Sequence, residues 1–218
     1  MNLEDEVKLE AELGFECPRF DIDPTIARVE LRPVKHTVTI YFDLPDGQLS
    51  VSGLALRFRF IVDANTNDNV DLLKNLRGHQ IGEWAMKSGG TSVENDGVIA
   101  ISRDEFEIEG EFFQIPDRMV EMFSQLQGAR ESLVIIAGLE ARRTTTNVIG
   151  DSGSLVAVDD DVVDVIAGPA LGHRFREIEL ELLSDSGRAI RSKIVGDLIA
   201  CGARYSTVGS KLERALLV

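Results

Sequence analysis

Glu4-Asp5-Glu6-Val7-Lys8-Leu9-Glu10, read as a strand, sorts its side chains into two opposed sets. Successive side chains of a strand alternate, so Glu4, Glu6, Lys8 and Glu10 share one face while Val7 and Leu9 share the other. The same design returns at Glu177-Ile178-Glu179-Leu180-Glu181-Leu182, with three carboxylates backed by three aliphatic side chains. A row of carboxylates at this spacing repels itself unless cations sit among it, and hard divalent cations take oxygen ligands. Two such strands point to a divalent-cation site. The plainer alternative is the solvated outer face of an ordinary sheet.

Other stretches share the pattern with basic residues on the charged side. Residues 34–43 are rich in β-branched and aromatic side chains and end at Leu44-Pro45-Asp46-Gly47, a turn signal. In residues 54–60, Leu56, Phe58 and Phe60 oppose Arg57 and Arg59. Lys87 lies opposite Trp84 and Met86, and Arg103 and Glu105 lie opposite Phe106 and Ile108. Residues 155–163 form another strand, ending in Asp159-Asp160-Asp161. Closed into a barrel, such strands put charges in the bore and apolar faces outside against helices, the reverse of a small barrel with a hydrophobic interior. Periodicity alone also allows an open sheet with water on its charged face.

Helical spacing appears at residues 116–126 (Met119, Met122, Phe123 and Leu126), at 188–201, and at 206–216, which carries Lys211. Residues 14–33 read as an irregular connection over a barrel rim. Residues 63–77 read as a polar loop with a short helix at 70–76.

The chain has 218 residues, enough for one well-buried core, and no linker-like composition divides it, so one domain over 1–218 is expected. A net charge of −14, from 23 basic and 37 acidic residues, argues against a nucleic-acid or anionic-membrane binder. Any anionic ligand must be met by a local basic cluster. The acidic N-terminus lacks a signal-peptide pattern and the longest apolar stretch, near 132–139, is too short to span a bilayer, so a cytoplasmic protein is expected. Cys17 and Cys201 fit reduced thiols better than a disulfide framework. His36, His79 and His173 have no metal-ligand spacing among them.

In this order the motifs resemble the CYTH domain, the triphosphate tunnel metalloenzyme family. The most specific element is Glu4-x-Glu6-x-Lys8. There follow Tyr41-Phe42-Asp43-x-Pro45-Asp46, Leu56-Arg57-x-Arg59, Trp84-x-x-Lys87, Arg103-x-Glu105, Arg142-Arg143-Thr144, the Asp159 region, Glu177-x-Glu179-x-Glu181 and Ser210-Lys211. The chain looks most like a stand-alone actinobacterial member. The resemblance implies an α+β fold, an eight-stranded antiparallel β-barrel forming a tunnel with flanking helices. It also implies hydrolysis of a small anionic triphosphate with Mg²⁺ or Mn²⁺ by a monomer or homodimer. Inorganic triphosphate is the first choice of substrate, then thiamine triphosphate or a nucleoside triphosphate. A class IV adenylate cyclase and a non-catalytic polyphosphate or nucleotide sensor are the alternatives.

Carried over by position, Lys8, Arg57, Arg59, Lys87, Arg103, Arg142 and Lys211 become phosphate contacts. Glu4, Glu6, Glu177 and Glu179 become metal ligands, with Asp159 and Glu181 beside them and Glu105 in support. Glu4, Glu6, Lys8 and Glu105 are thus the expected catalytic group. Glu140 departs from the family, many of whose members have a basic residue two before the arginine aligned with Arg142. Lys211→Ala is expected to weaken substrate binding and leave stability nearly unchanged.

Overall fold

The structure, a computed structural model, describes residues 2–20, 23–62, 80–95, 98–128 and 130–217. The loop and short helix expected within 63–77 lie outside the described residues, as does His79. Eleven strands are described: β1 (Asn2–Ala11), β2 (Arg28–Leu31), β3 (Lys35–Asp43), β4 (Leu54–Ile61), β5 (Ile81–Ser88), β6 (Thr91–Asn95), β7 (Val98–Glu111), β8 (Val134–Gly150), β9 (Gly153–Ala167), β10 (Arg174–Leu182) and β11 (Arg204–Tyr205). Four helices accompany them: α1 (Gln48–Val51), α2 (Asp117–Met122), α3 (Arg188–Ala200) and α4 (Lys211–Leu216).

Eight strands pair in the order β1-β10-β9-β8-β3-β4-β5-β7, and β7 pairs back onto β1. Every one of these pairings is antiparallel, so the sheet closes into a barrel with no free edge in the ring. Outside the ring, β2 extends β8, β6 extends β7 and β11 extends β1.

The apolar faces point outward and are covered there. Val7, Leu9, Ile178 and Leu180 pack with Ile190, Ile194 and Leu198 of α3. On the opposite side Phe42, Phe58, Trp84 and Phe112 form an aromatic cluster closed by Met119 of α2 and by Leu126. The Phe58 and Trp84 rings lie 5.2 Å apart, and the Trp84 indole N–H donates to the Glu111 carbonyl at 2.9 Å. Each buried side chain of this size contributes about 1.5–3 kcal/mol relative to exposure. Asp43 serves the fold. Its buried carboxylate accepts from the amides of Leu44 (2.7 Å), Leu49 (2.9 Å) and Ser50 (3.2 Å) and so builds the turn from β3 through α1 into β4.

A third apolar cluster lies inside the barrel, where Tyr41, Ala137, Leu139, Val163, Val165 and Phe175 receive Leu212 and Ala215 of α4. One end of the bore is therefore filled by α4. This helix is shorter than the periodicity over 206–216 suggests, because it starts at Lys211. There the Ser210 hydroxyl accepts from the Glu213 amide at 3.1 Å. Residues 206–210 run instead alongside β1, the Ser206 amide donating to the Lys8 carbonyl at 3.1 Å.

Other expectations change too. The described residues of 14–33 lie on the outside rather than over a rim: β2 adds to β8, and Arg176 donates to the carbonyls of Leu13 and Phe15. Thr91–Asn95, unassigned from sequence, is a strand held by β7. Met122 is exposed at 43 % because α2 ends there, whereas Met119 and Leu126 are fully buried. Both cysteines are free thiols. Among the described residues no helix is long and apolar enough to cross a membrane.

Candidate functional site

The strand period places the two acidic rows side by side in the bore. Glu6, Lys8 and Glu10 of β1 stand opposite Glu181, Glu179 and Glu177 of β10, and Glu179 and Glu177 stand opposite Asp159 and Asp161 of β9. The wall built by β3, β4 and β5 carries Arg57, Arg59 and Lys87. From β7, Arg103 and Glu105 close the circle.

Most of these charges are paired to one another. The Lys8 ammonium lies 2.8 Å from Glu179, 3.3 Å from Glu6 and 3.7 Å from Glu177. From α4, Lys211 reaches Glu177 and Glu179 at 2.7 Å each and Asp161 at 3.2 Å. Arg143 forks onto Asp161 (2.8 and 2.6 Å), and also meets Asp159 at 2.5 Å and Glu179 at 2.9 Å. Nearer the β5–β7 side, Lys87 holds Glu4 at 2.9 Å and Glu105 at 3.1 Å, Arg57 holds Glu105 at 2.8 Å, and Arg103 lies 3.2 Å from Glu6.

This arrangement sets the protonation states. Burial alone would push Glu179 up, yet Lys211, Lys8 and Arg143 together hold it well below the usual carboxylate range. Asp161 is lowered against its own burial by Lys211 and Arg143. Glu6 behaves oppositely: burial first, then the charges of Glu179 and Glu4, raise it despite Lys8. Glu181 is likewise raised, by burial and then by Glu4, Asp159 and Glu6.

Arg59 differs from the other bore cations. Its Nε donates to the Thr39 hydroxyl at 3.2 Å, and among the described residues no carboxylate pairs with it. Burial and the neighbouring Arg57 and Arg143 push its guanidinium down to about 10, so it stays charged at neutral pH with no paired counter-charge among the described residues. It lines both chambers of the bore. One is a polar space of about 230 Å³, bounded also by Glu4, Lys8, Arg57, Lys87 and Glu181. The other, about 500 Å³, lies beside Lys35, Thr37, Ile61 and Ile81 and is lined as well by Arg143, Asp161 and Lys211 of α4.

The donor set fits a hard divalent cation in composition. Glu6 Oε1 is buried without a hydrogen bond, and Glu4, Glu6, Asp159 and Glu181 crowd negative charge onto one end of the acidic wall. Among the described residues no three acidic, histidine or cysteine side chains already converge on one point, since most of the bore carboxylates are turned toward a cation. Glu177 and Glu179 are the least available of the expected ligands, being held by Lys211 and, for Glu179, by Lys8 and Arg143 as well.

Arg142 is not in the site. It is exposed on the outer face of β8 beside Leu13 and Val34, and it is Arg143 that enters the bore, opposite Lys35 on one side and Asp161 on the other. Adjacent residues of a strand point to opposite faces, so only one arginine of the pair can reach the tunnel. Glu140 shares the outer face with Arg142, and the bore position two before Arg143 is Ala141, which lines the larger chamber. All other expected site residues do face the bore. Arg143 and Asp161 were missed, although Asp161 is two residues from Asp159 and must share its face.

A sequence profile of the CYTH domain matches residues 6–193. No curated protein sequence matches the chain. Among solved structures, a Hippeastrum protein described as an adenylyl cyclase candidate with a dominant triphosphatase activity superposes with a TM-score of 0.53. It is 18 % identical, over 99 % of this chain and 97 % of that one. A Bacillus halodurans protein described as an adenylate cyclase candidate gives a TM-score of 0.52 at 15 % identity, over 98 % of each chain. At these identities the likeness is one of fold.

Proposed function

Because the chain belongs to the CYTH domain family, we propose that it hydrolyses a triphosphate inside this bore with Mg²⁺ or Mn²⁺, inorganic triphosphate being the first substrate to try. The observation that carries this reading is Arg59, a half-buried cation with no carboxylate partner among the described residues, facing a wall of carboxylates across the bore. An anion fits the first and a divalent cation the second, and a metal-bound triphosphate supplies both.

Arg57 and Arg59 offer planar forks to phosphate oxygens, and Lys87, Arg143 and Lys8 stand around the same chamber. Glu4, Glu6, Asp159 and Glu181 would hold the cation. When bound, it neutralises phosphate charge and polarises the bond to be cleaved. To Glu6, one of whose buried oxygens carries no hydrogen bond, we assign acceptance of the proton from the attacking water. Phosphoryl transfer asks for charge neutralisation and alignment more than for a covalent nucleophile.

The test is a panel of inorganic triphosphate, thiamine triphosphate, ATP and GTP with each metal, measuring phosphate release and, for ATP, cyclic AMP. Phosphate release supports the hydrolase. Cyclic AMP from ATP replaces it with a cyclase, and tight binding without turnover replaces it with a sensor. The organic triphosphates belong in the panel because the larger chamber, with Ile61 and Ile81 exposed at its rim, has room for a group beyond the phosphates. Arg59→Ala should raise KM for the accepted substrate at least about tenfold, the size of a lost charged contact, and leave the melting temperature unchanged or higher. Among the described residues its side chain neutralises no carboxylate. An unaltered KM would remove Arg59 from the phosphate site.

A further inference from the structure

The strand that carries Glu4 and Glu6 loses one of its two neighbours between those residues, at Asp5. β1 pairs with β10 from Ala11 back to Glu6, Glu6 pairs with β7 as well, and from Asp5 to Asn2 β7 is its only strand partner among the described residues. On the side facing outward, Arg191 of α3 takes over. One of its terminal nitrogens donates to the Asp5 carboxylate at 2.6 Å and to the Asp5 backbone carbonyl at 3.1 Å. Arg188, one turn earlier, lies 3.6 Å from the other carboxylate oxygen. Arg191 is 1 % exposed, among the most deeply buried large side chains of the chain, and Asp5 is the carboxylate it is paired with. A buried guanidinium costs folding free energy unless its partner is fixed in place, so the pair is placed to hold β1 rather than to decorate a surface.

We propose that Arg191 is a positioning residue: through Asp5 it fixes the height and twist of β1 at the point where Glu4 and Glu6 project into the bore. The proposal rests on Glu4 and Glu6 being the working carboxylates. Side chains alternate, so a grip on Asp5 from outside sets the two bore carboxylates that flank it. Displacement of a working group by about 1 Å is enough to cost on the order of a hundredfold in rate. α3 is anchored through Ile190, Ile194, Val195 and Leu198 on Val156 and Val158 of β9 and Ile178 and Leu180 of β10 as well as on β1, which gives the clamp a base beyond the strand it holds.

The experiment compares Asp5→Ala, Asp5→Asn and Arg191→Lys in the full chain by three readouts. These are amide hydrogen exchange across residues 4–7, Mn²⁺ titration without substrate, and kcat and KM for the accepted triphosphate. Expected are faster exchange confined to that segment, a weaker Mn²⁺ midpoint, and kcat down at least about tenfold with KM within a factor of about two. Asp5→Asn, which keeps an acceptor for Arg191, should fall between Asp5→Ala and wild type. Unchanged exchange at residues 4–7 together with wild-type kcat and Mn²⁺ binding overturns the clamp. Loss of exchange protection spread over the whole barrel also overturns it, since Arg191 is then only a stability residue. A wild type that hydrolyses none of the triphosphates sinks the functional reading instead, and the exchange and Mn²⁺ readouts still decide the clamp.

Discussion

Lys211→Met should melt about 6–20 °C below the wild type, even without substrate. The ammonium of Lys211 is buried and lies within 3.2 Å of three carboxylates, on Glu177, Glu179 and Asp161. Methionine keeps the length of the stem and removes only the charge, leaving, among the described residues, the fully buried Glu177 with no cation nearer than Arg214 at 3.6 Å and Lys8 at 3.7 Å, and Asp161 with Arg143 alone. Removing one partner of a buried ion cluster costs about 3–5 kcal/mol, and for a chain of this size each kcal/mol lowers Tm by about 2–4 °C. The pH dependence has a definite sign. Glu179 and Asp161 are held low in the folded protein, so the stability they contribute is present above the ordinary carboxylate pKa and is lost as pH falls through their folded values. The deficit of the variant is therefore largest at pH 7 and narrows as the solution is acidified through the carboxylate range. Thermal melts of both proteins from pH 7 to well below the ordinary carboxylate range check this; an equal Tm at pH 7 would show that the cluster is satisfied without Lys211. The sequence-based expectation of unchanged stability treated Lys211 as a grip on substrate alone, whereas the ammonium also neutralises the acidic wall.

What could be read beforehand, and what could not, follows from strand geometry. β1 and β10 were legible because a period of two with carboxylates on one face and aliphatics on the other leaves no second way to seat the strand. Arg57 and Arg59 were legible for the same reason, flanked by Leu56, Phe58 and Phe60. At Arg142-Arg143 the rule gives two faces but not which is inner, and the bulge between Gly138 and Leu139 breaks the count from the preceding apolar run. The cross-strand partners Lys35 and Asp161 settle it, and these need the register. The filled end of the bore had a signal that went unused. Asp159, Asp161, Val163 and Val165 share one face of β9 and pass from charged to apolar, marking the depth at which the tunnel lining gives way to the packing of α4. A helix of six residues, in contrast, carries too little periodicity to show that it sits inside a barrel rather than on it.

Glu6→Gln should reduce turnover by a factor on the order of 10²–10³ without weakening the fold, and the two halves of that statement come from the same environment. Glu6 is 3 % exposed and one of its oxygens has no hydrogen bond. Burial, Glu179 and Glu4 raise its pKa. A carboxylate raised in the folded state favours folding while it is protonated, and the cost of keeping it ionised grows as pH rises above its unfolded value. The neutral amide removes that cost at pH 7. Lys8 does not depend on Glu6, since Glu179 holds it at 2.8 Å, and Arg103 keeps the Gly209 carbonyl at 3.4 Å. The expected Tm of the unliganded variant is therefore equal to or a little above that of the wild type, and the margin should shrink on acidification, as protonation relieves the wild type too. The proton acceptor and the charged oxygen ligand are both gone, so kcat should fall much more than KM, which Arg59 and Lys87 set from the opposite wall. Kinetics with the accepted triphosphate, alongside melts in the absence of metal, separate the two effects. Wild-type turnover in Glu6→Gln would take the β1 carboxylate out of the chemistry, and a large drop in Tm would make it a structural ion instead.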